Sequence, residues 1–427
     1  MTWLLYGAYG FTGRLLAAEA VRRGHRPILA GRRPEALEDV ARELEGLDLG
    51  LDRGDEGQGL GRSDQEQGLG RNDQERGLGH GDREFGLGHG DRELGLGRGD
   101  LKLPRRSFPL DDPERLRKEL AGVDAVLHAA GPFIHTGRPM MEACIDVGAH
   151  YLDITGEVPV FESAFELAER AREAGVVLMP GVGMDVIPTD GAAAMLARAL
   201  PSATRLELAL HSPGRPSGGT LQTILEGLPR GLLVRRDGRL VQARPGAPEF
   251  RRWIDLGPEL TNGPMAGKMG GRRSVAPYTW GDLSTAYRTT GIHDITCYSS
   301  TPRTQVRLLP FVLPVLKTLL SIGPVRRFAR RRVARGPAGP SEQARREGRT
   351  RVWGHAEDDQ GREADTILEF PESYRFTALA GVRAMEAVLA LPEEEVGTLT
   401  PAGTFGVDWV LQLPEVEMIR SPDPPES

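Results

Sequence analysis

The first 45 positions alternate between two hydrophobic rhythms. Trp3-Leu4-Leu5-Tyr6 is an unbroken apolar run, as expected of a strand covered on both faces, and it ends directly in Gly7-Ala8-Tyr9-Gly10-Phe11-Thr12-Gly13. Over residues 14–23 Leu15, Leu16, Ala18, Ala20 and Val21 recur at helical spacing, and Gly24 supplies a stop. Residues 27–31 predict a second strand, and Arg33-Pro34-Glu35 a helix start with proline in its tolerated first turn. The alternation resumes past residue 105. Asp112-Pro113-Glu114 opens a helix, 124–130 is a buried strand broken by Gly131-Pro132-Phe133, and helices at about 139–147 and 160–173 alternate with strands at 150–153 and 176–179. Strand and helix in this order predict a doubly wound sheet.

Near residue 200 the period changes. Leu206, Leu208 and Leu210 share one face of 205–211, and strand-like segments follow at 292–298, 350–353 and 365–370. A helix at 374–391 precedes a return to the core at 405–411. The chain has 427 residues, more than one core usually organises. The expected architecture is therefore α/β: a doubly wound Rossmann domain over 1–200, an α+β substrate or dimerisation domain on an antiparallel sheet over 201–400, and a return to the core with a C-terminal tail over 401–427.

Residues 50–103 interrupt the first domain. Gly-Leu-Gly recurs at Gly59, Gly68, Gly77, Gly86 and Gly95, with aspartates at Asp64, Asp73, Asp82, Asp91 and Asp100, a nine-residue period. A calcium-binding β-roll has that period but needs adjacent glycines, and the units here repeat a single leucine, the one inside Gly-Leu-Gly. A disordered low-complexity insertion is the reading that composition favours. Joining 44–47 to 106–110 gives helix, loop and strand without it.

The glycines lie where a strand turns into a helix. Gly7 permits the tight turn, Gly10 lets backbone approach a pyrophosphate and Gly13 lets helix and strand pack closely; free N–H groups at the helix start hold the anion. The second strand ends in Arg32-Arg33, where an NAD site normally offers an acid to the ribose; arginine suits the 2′-phosphate of NADP, which is favoured over NAD. The candidate cofactor-binding residues are Gly7, Ala8, Tyr9, Gly10, Phe11, Thr12, Gly13, Arg32 and Arg33, with Ala130, Gly131 and Pro132 at the next strand end.

Composition narrows the chemistry. A net charge of −6 gives no reason to expect nucleic acid, and two cysteines, Cys144 and Cys297, form neither a disulfide framework nor a zinc site, which fits a cytoplasmic setting. The N-terminus lacks the charged segment of a signal peptide. The nine histidines form no ligand cluster, so no metal is expected. None of the seven tyrosines has a lysine four residues on, which excludes short-chain dehydrogenase chemistry, and Gly-x-Ser-x-Gly is missing around Ser217, which more plausibly caps the next helix. His128 inside an apolar strand reads as a core histidine, and Cys144 as a small core residue. Asp153 could hold a ribose hydroxyl, orient a donor or cap the next turn. Asp282 and Tyr287 are the other candidates for the acid that protonates carbon during hydride transfer.

The motifs Tyr6–Gly13, Ala129-Ala130-Gly131-Pro132-Phe133, Tyr151-Leu152-Asp153-Ile154-Thr155-Gly156-Glu157, Asp185-Val186-Ile187-Pro188-Thr189-Asp190, Ser217-Gly218-Gly219-Thr220, Trp280-Gly281-Asp282 and Pro401–Gly406 resemble the saccharopine dehydrogenase-like oxidoreductases, particularly the bacterial branch with trans-acting enoyl reductases. The resemblance spans nearly the whole chain outside the repeat. It implies NADP-dependent reduction, of a conjugated enoyl bond in a lipid-like substrate or of a saccharopine-type imine, or a nucleotide-binding scaffold without chemistry. The lysine–histidine pair of the lysine-pathway enzymes finds little support: Lys118 lies on a Rossmann helix, Lys102 borders the repeat, and no lysine lies between Lys118 and Lys268.

Residues 308–322 are apolar apart from Lys317, Thr318 and Ser321, contain Pro310 and Pro314, and precede Arg326, Arg327, Arg330, Arg331, Arg332 and Arg335. The stretch is too short and broken to cross a bilayer. It is a helix for packing against a domain or a second copy in a homodimer, or a peripheral membrane contact through 308–335.

Overall fold

A computed structural model describes residues 1–45, 102–227, 230–244, 247–250, 252–334 and 339–422. The first domain runs β1 (Trp3–Tyr6), α1 (Phe11–Arg22), β2 (Ile28–Gly31), α2 (Pro34–Glu45), β3 (Arg105–Ser107), α3 (Pro113–Leu120), β4 (Ala125–His128), α4 (Phe133–Val147), β5 (His150–Asp153), α5 (Val158–Glu166), α6 (Ala168–Glu173), β6 (Val177–Met179) and α7 (Ile187–Ala199). The second continues with β7 (Arg205–His211), α8 (Gly218–Gly227), β8 (Leu232–Arg236), β9 (Arg239–Ala243), β10 (Arg252–Asp255), β11 (Arg272–Pro277), α9 (Asp282–Thr290), β12 (Asp294–Ser300), α10 (Arg303–Ser321), α11 (Gly323–Ala334), α12 (Glu342–Glu347), β13 (Arg349–Glu357) and β14 (Glu363–Pro371). Last come α13 (Ser373–Leu389), β15 (Gly397–Thr398), α14 (Pro401–Leu411) and β16 (Glu417–Arg420).

One sheet has the order β15-β6-β5-β4-β1-β2-β3, every pair parallel. The order reverses between β1 and β4. At such a switch point two loops diverge from neighbouring strand ends and leave a crevice for a ligand. The glycine loop follows β1 and residues 129–132 follow β4, so both open onto it.

The other sheet has the order β10-β11-β12-β7-β13-β14-β16, with the β8–β9 hairpin attached to β12. It is mixed, not antiparallel throughout as the alternation predicted, because β7 and β12 run parallel. A parallel pair needs a long crossover, which the chain supplies between residues 211 and 294, including α9. Alternation along 205–211 reports a half-buried strand, not its neighbour's direction.

The chain crosses back to the first domain from residue 373, earlier than residue 401. Helix α13 packs on α1, and β15 extends the first sheet, while β16 closes the second. One buried cluster runs from Leu16 and Leu127 beneath the glycine loop, through Ile187, Phe376 and Val382, to Leu206, Val352 and Leu368 of the second sheet. Burial of this kind, at roughly 25 cal/mol per Å² of apolar surface, holds the crevice walls in register.

The nine-residue repeat, from residue 50 to residue 101, lies outside the described residues. Leu103, assigned to it by the sequence, is buried in the core, and its N–H donates to Glu45 Oε1 at 3.5 Å, so the host chain closes up again by residue 103. Helix α4 begins at Phe133, six residues before Pro139, which sits inside it.

Candidate functional site

The loop after β1 is held by backbone bonds from Gly7 N and Ala8 N to Ala30 O (2.8 and 3.2 Å) and from Gly10 N to Gly7 O (2.8 Å). Gly7 has φ +89°, and a Cβ there would meet the Ala129 carbonyl carbon at 2.8 Å and Ala130 Cβ at 2.9 Å. A Cβ on Gly13 would fall 2.1 Å from Gly7 O, so α1 lies directly on the loop. Helix α1 has no side-chain cap. Its first-turn N–H groups, on Phe11, Thr12 and Gly13, have no carbonyl one turn back and are aimed along the positive end of the helix dipole. Backbone brought this close together and an uncapped helix start fit the pyrophosphate of a dinucleotide.

Tyr9 joins this loop to the end of β2. Its hydroxyl accepts the Arg32 N–H (3.2 Å), its ring lies under Gly31, and the Arg33 guanidinium stacks on it at 4.5 Å. Arg32 and Arg33 are exposed and have no acid among their partners in the described residues. That is donor chemistry for a ribose phosphate at the edge of the crevice.

Ala130, Gly131 and Pro132 line the far wall. Thr136 donates to Ala130 O (2.8 Å) and Gly131 is open to solvent. The start of α4 is not free for an anion: Phe133 N and Ile134 N both donate to the Glu157 carboxylate at 2.9 Å, and Thr223 of α8 donates to the same group at 3.1 Å. Of the two helix starts beside the switch point, only that of α1 is free for a phosphate.

The three residues that the sequence offered for acid chemistry lie elsewhere. Asp153 is buried and accepts from Tyr151 Oη (2.6 Å), Thr155 N and Gly181 N (2.9 Å each). Burial raises its pKa to about 6 against the pull of those bonds. It ties the ends of β5 and β6 together and is not positioned to touch a ligand. Asp282 is also buried, bonded by Thr189 (2.7 Å), and burial pushes its carboxyl well above the usual range. Tyr287 faces the β8–β9 turn, with Arg235 over its ring at 4.3 Å and its hydroxyl against Gly238. The structure brings these three neither to one another nor to the glycine loop. His128 and Cys144 are fully buried core residues.

Near Glu157, the residue that holds the start of α4, lies another acid, Asp185, on the loop between β6 and α7. Its side chain is half-buried and makes no hydrogen bond to a described residue; a Cβ on Gly156 would sit 3.0 Å from its Oδ2. Burial, with the Glu157 charge adding to it, raises its pKa to about 7. The Trp280 indole donates to the Asp185 carbonyl, and Trp280 packs on Tyr278 with ring centroids 4.8 Å apart. An aromatic wall thus stands beside a carboxyl that carries a proton near neutral pH. Asp185 opens a motif that the sequence shows, but only the fold puts Gly156 and Glu157 near it.

Elsewhere, His355, Glu357 and Glu363 have ligand atoms within 4.8 Å of one another, yet His355 is engaged by Asp365 (3.1 Å) and Glu357 by Arg205 (3.1 Å). A cavity of about 210 Å³ over the same strands is lined by paired charges, Arg205 with Glu357 and Arg252 with Glu207, and by Asp294, which accepts the Asp237 N–H. Neither adjoins the glycine loop.

Residues 99–179 match the model of the saccharopine dehydrogenase NADP binding domain. A probable mitochondrial saccharopine dehydrogenase-like oxidoreductase of Arabidopsis thaliana is 32% identical over 126 residues, 27% of this chain and 28% of that protein. The saccharopine dehydrogenase-like oxidoreductase of Homo sapiens is 36% identical over 81 residues, 18% and 19% of the two chains. A trans-acting enoyl reductase of Mycobacterium ulcerans is 28% identical over 171 residues, 35% and 41%. The alignments thus span from 19% to 41% of these relatives' lengths. Apo saccharopine dehydrogenase (L-Glu forming) from Saccharomyces cerevisiae superposes with a TM-score of 0.52 over 98% of this chain and 100% of that one, at 12% identity: a likeness of fold. No described helix is long and apolar enough to cross a membrane.

Proposed function

We propose that this protein belongs with the saccharopine dehydrogenase-like oxidoreductases and reduces a conjugated carbon–carbon double bond of a lipid-like substrate with NADPH, a reading supported by the match of residues 99–179 to the NADP binding domain and by the partial alignments. Bound at the glycine loop, the cofactor supplies a hydride. The chain's own residues do the rest. The first turn of α1 binds pyrophosphate, Arg32 and Arg33 bind the 2′-phosphate, and Glu157 holds the start of α4 in place. Asp185 delivers a proton to the carbon next to the one that receives hydride. The observation that carries this reading is the unpaired, half-buried Asp185 with its pKa near 7, the range in which a general acid works best at neutral pH. The acidic pair Glu157–Asp185 disfavours an amino-acid substrate bearing several carboxylates, and no lysine lies between Lys118 and Lys268 to serve the lysine-pathway chemistry. An uncharged enoyl chain beside Tyr278 and Trp280 meets neither objection.

The reaction is tested with stereospecifically deuterated NADPH and a panel of enoyl thioesters, enoyl lipids and saccharopine-type imines. Deuterium in a reduced alkene is the expected result. Transfer only to an imine, or binding with no transfer to any panel member, would sink the enoyl reading. Cofactor choice is tested separately. A charge-assisted hydrogen bond is worth about 1.5–3 kcal/mol, so Arg32→Ala and Arg33→Ala should each weaken NADPH roughly tenfold to hundredfold and leave NADH unchanged. Equal dissociation constants for the two cofactors in the unaltered protein would refute the assignment.

A further inference from the structure

Of the twelve large apolar side chains that the described residues leave exposed, eight lie between Leu308 and Phe328 on α10 and α11. Leu308, Phe311, Val315, Leu319 and Ile322 follow one another at three- and four-residue spacing, with Val312 beside Phe311, and form a single stripe along α10 and its C-terminal cap. Phe311 is 74% exposed and Phe328 of α11 is 71% exposed, whereas Leu320, on the opposite side, is 2% exposed and anchors the hairpin to the body of the protein. Aromatic rings are not left standing in water over a stretch of this length without a partner surface.

Charge identifies the partner. Residues 303–335 contain eight arginines and one lysine and no acidic residue, in a chain of net charge −6, so the rest of the molecule carries −15. A second copy meeting this face symmetrically would bring nine positive charges against nine. A surface that is apolar inside and negative at its boundary satisfies both the stripe and the arginines, and an anionic lipid bilayer is such a surface.

We propose that α10 and α11 dock this protein on an anionic membrane, with Phe311 and Phe328 inserted at the headgroup boundary and the arginines on lipid phosphates. Helix α11 packs on α8, whose Thr223 bonds Glu157 at the crevice. Docking therefore places the crevice close to the bilayer. Delivery of the substrate from that bilayer rests on the lipid-substrate reading; docking itself does not.

The test is co-sedimentation of the full chain with vesicles of phosphatidylcholine alone or with roughly one-third phosphatidylglycerol, which needs neither substrate nor turnover. The anionic vesicles should bind at least about tenfold more protein, and binding should fall as salt is raised. Phe311→Glu with Phe328→Glu should abolish binding while thermal midpoint and NADPH affinity stay unchanged, since both rings are solvent-exposed. Arg326→Glu with Arg327→Glu should weaken binding to anionic vesicles only. No binding by the unaltered chain, equal binding to the two vesicles, or a phenylalanine variant that turns a solution dimer into a monomer and leaves vesicle binding intact would each overturn the proposal. Loss of vesicle binding with deuteride transfer to soluble enoyl substrates retained would leave the reaction standing, so the two readings fail separately.

Discussion

Replacing Gly13 by alanine should cost about 3 kcal/mol or more of stability and lower nucleotide affinity at least about a hundredfold. The added Cβ would lie 2.1 Å from Gly7 O, 2.9 Å from Gly7 C and 3.0 Å from Ala8 Cα. All three are backbone atoms, so no rotamer change relieves the clash. Either α1 moves off the loop or the loop moves off β1. The loop is pinned by its bonds to Ala30 O, and α1 is pinned by α13 and by Phe11, whose ring fills the space beside Gly339 and meets Tyr374 at 5.2 Å. Movement of α1 also withdraws the N–H groups of its first turn from the crevice. Gly10→Ala is the informative contrast. Its Cβ would lie 3.1 Å from Gly7 O, and its φ of −68° suits alanine, so the fold should survive within about 1 kcal/mol while the methyl obstructs a pyrophosphate. Thermal melts with and without NADPH, together with titrated dissociation constants, separate the two effects. Unchanged melting and affinity in Gly13→Ala would show that α1 does not bear on the loop as described.

How much of this was legible in the sequence follows from which forces are local. The strand-to-helix turn at Gly7–Gly13 and the helix start at Asp112, which accepts Arg115 N at 3.0 Å, are short-range consequences of backbone geometry and capping, and periodicity displays them directly. Ser217 capping Thr220 at 3.2 Å is of the same kind. Long-range pairing left weaker marks. Nothing in the period of 205–211 distinguishes a parallel neighbour from an antiparallel one, and the pattern of 374–391 predicts an apolar helix whichever sheet it covers. The polar candidates are ambiguous for a related reason. A carboxylate at a strand end has the same sequence signature whether it faces a ligand or, like Asp153, is consumed by Tyr151, Thr155 and Gly181. Asp185 differs only in having no partner, a property of three-dimensional surroundings.

Asp185→Asn should reduce kcat by about 10²–10⁴-fold with nucleotide affinity unchanged, the range lost when a positioned proton donor is removed. An amide is the same size and cannot supply the proton. Because burial and the Glu157 charge raise the Asp185 pKa to about 7, the protonated form is present below neutrality and is lost as pH rises through that value. kcat in the unaltered protein should therefore fall above about pH 7, and the residual rate of Asp185→Asn should not follow that limb. Stability carries the same sign. A carboxyl whose folded pKa exceeds its unfolded value of about 4 contributes fully below that value and loses the contribution as pH rises through about 7. Asp185→Asn should accordingly melt with a shallower decline between pH ~4 and 7 than the parent, while Asp153 and Asp190, each raised to about 6, and Asp282, raised further, continue to contribute a decline of the same sign. Asp185→Glu, which keeps the carboxyl but lengthens its reach, should recover part of kcat and move the limb. A merely structural role for Asp185 predicts the opposite pattern: lower stability in Asn and Glu alike and an unaltered pH limb, with kcat following the folded fraction.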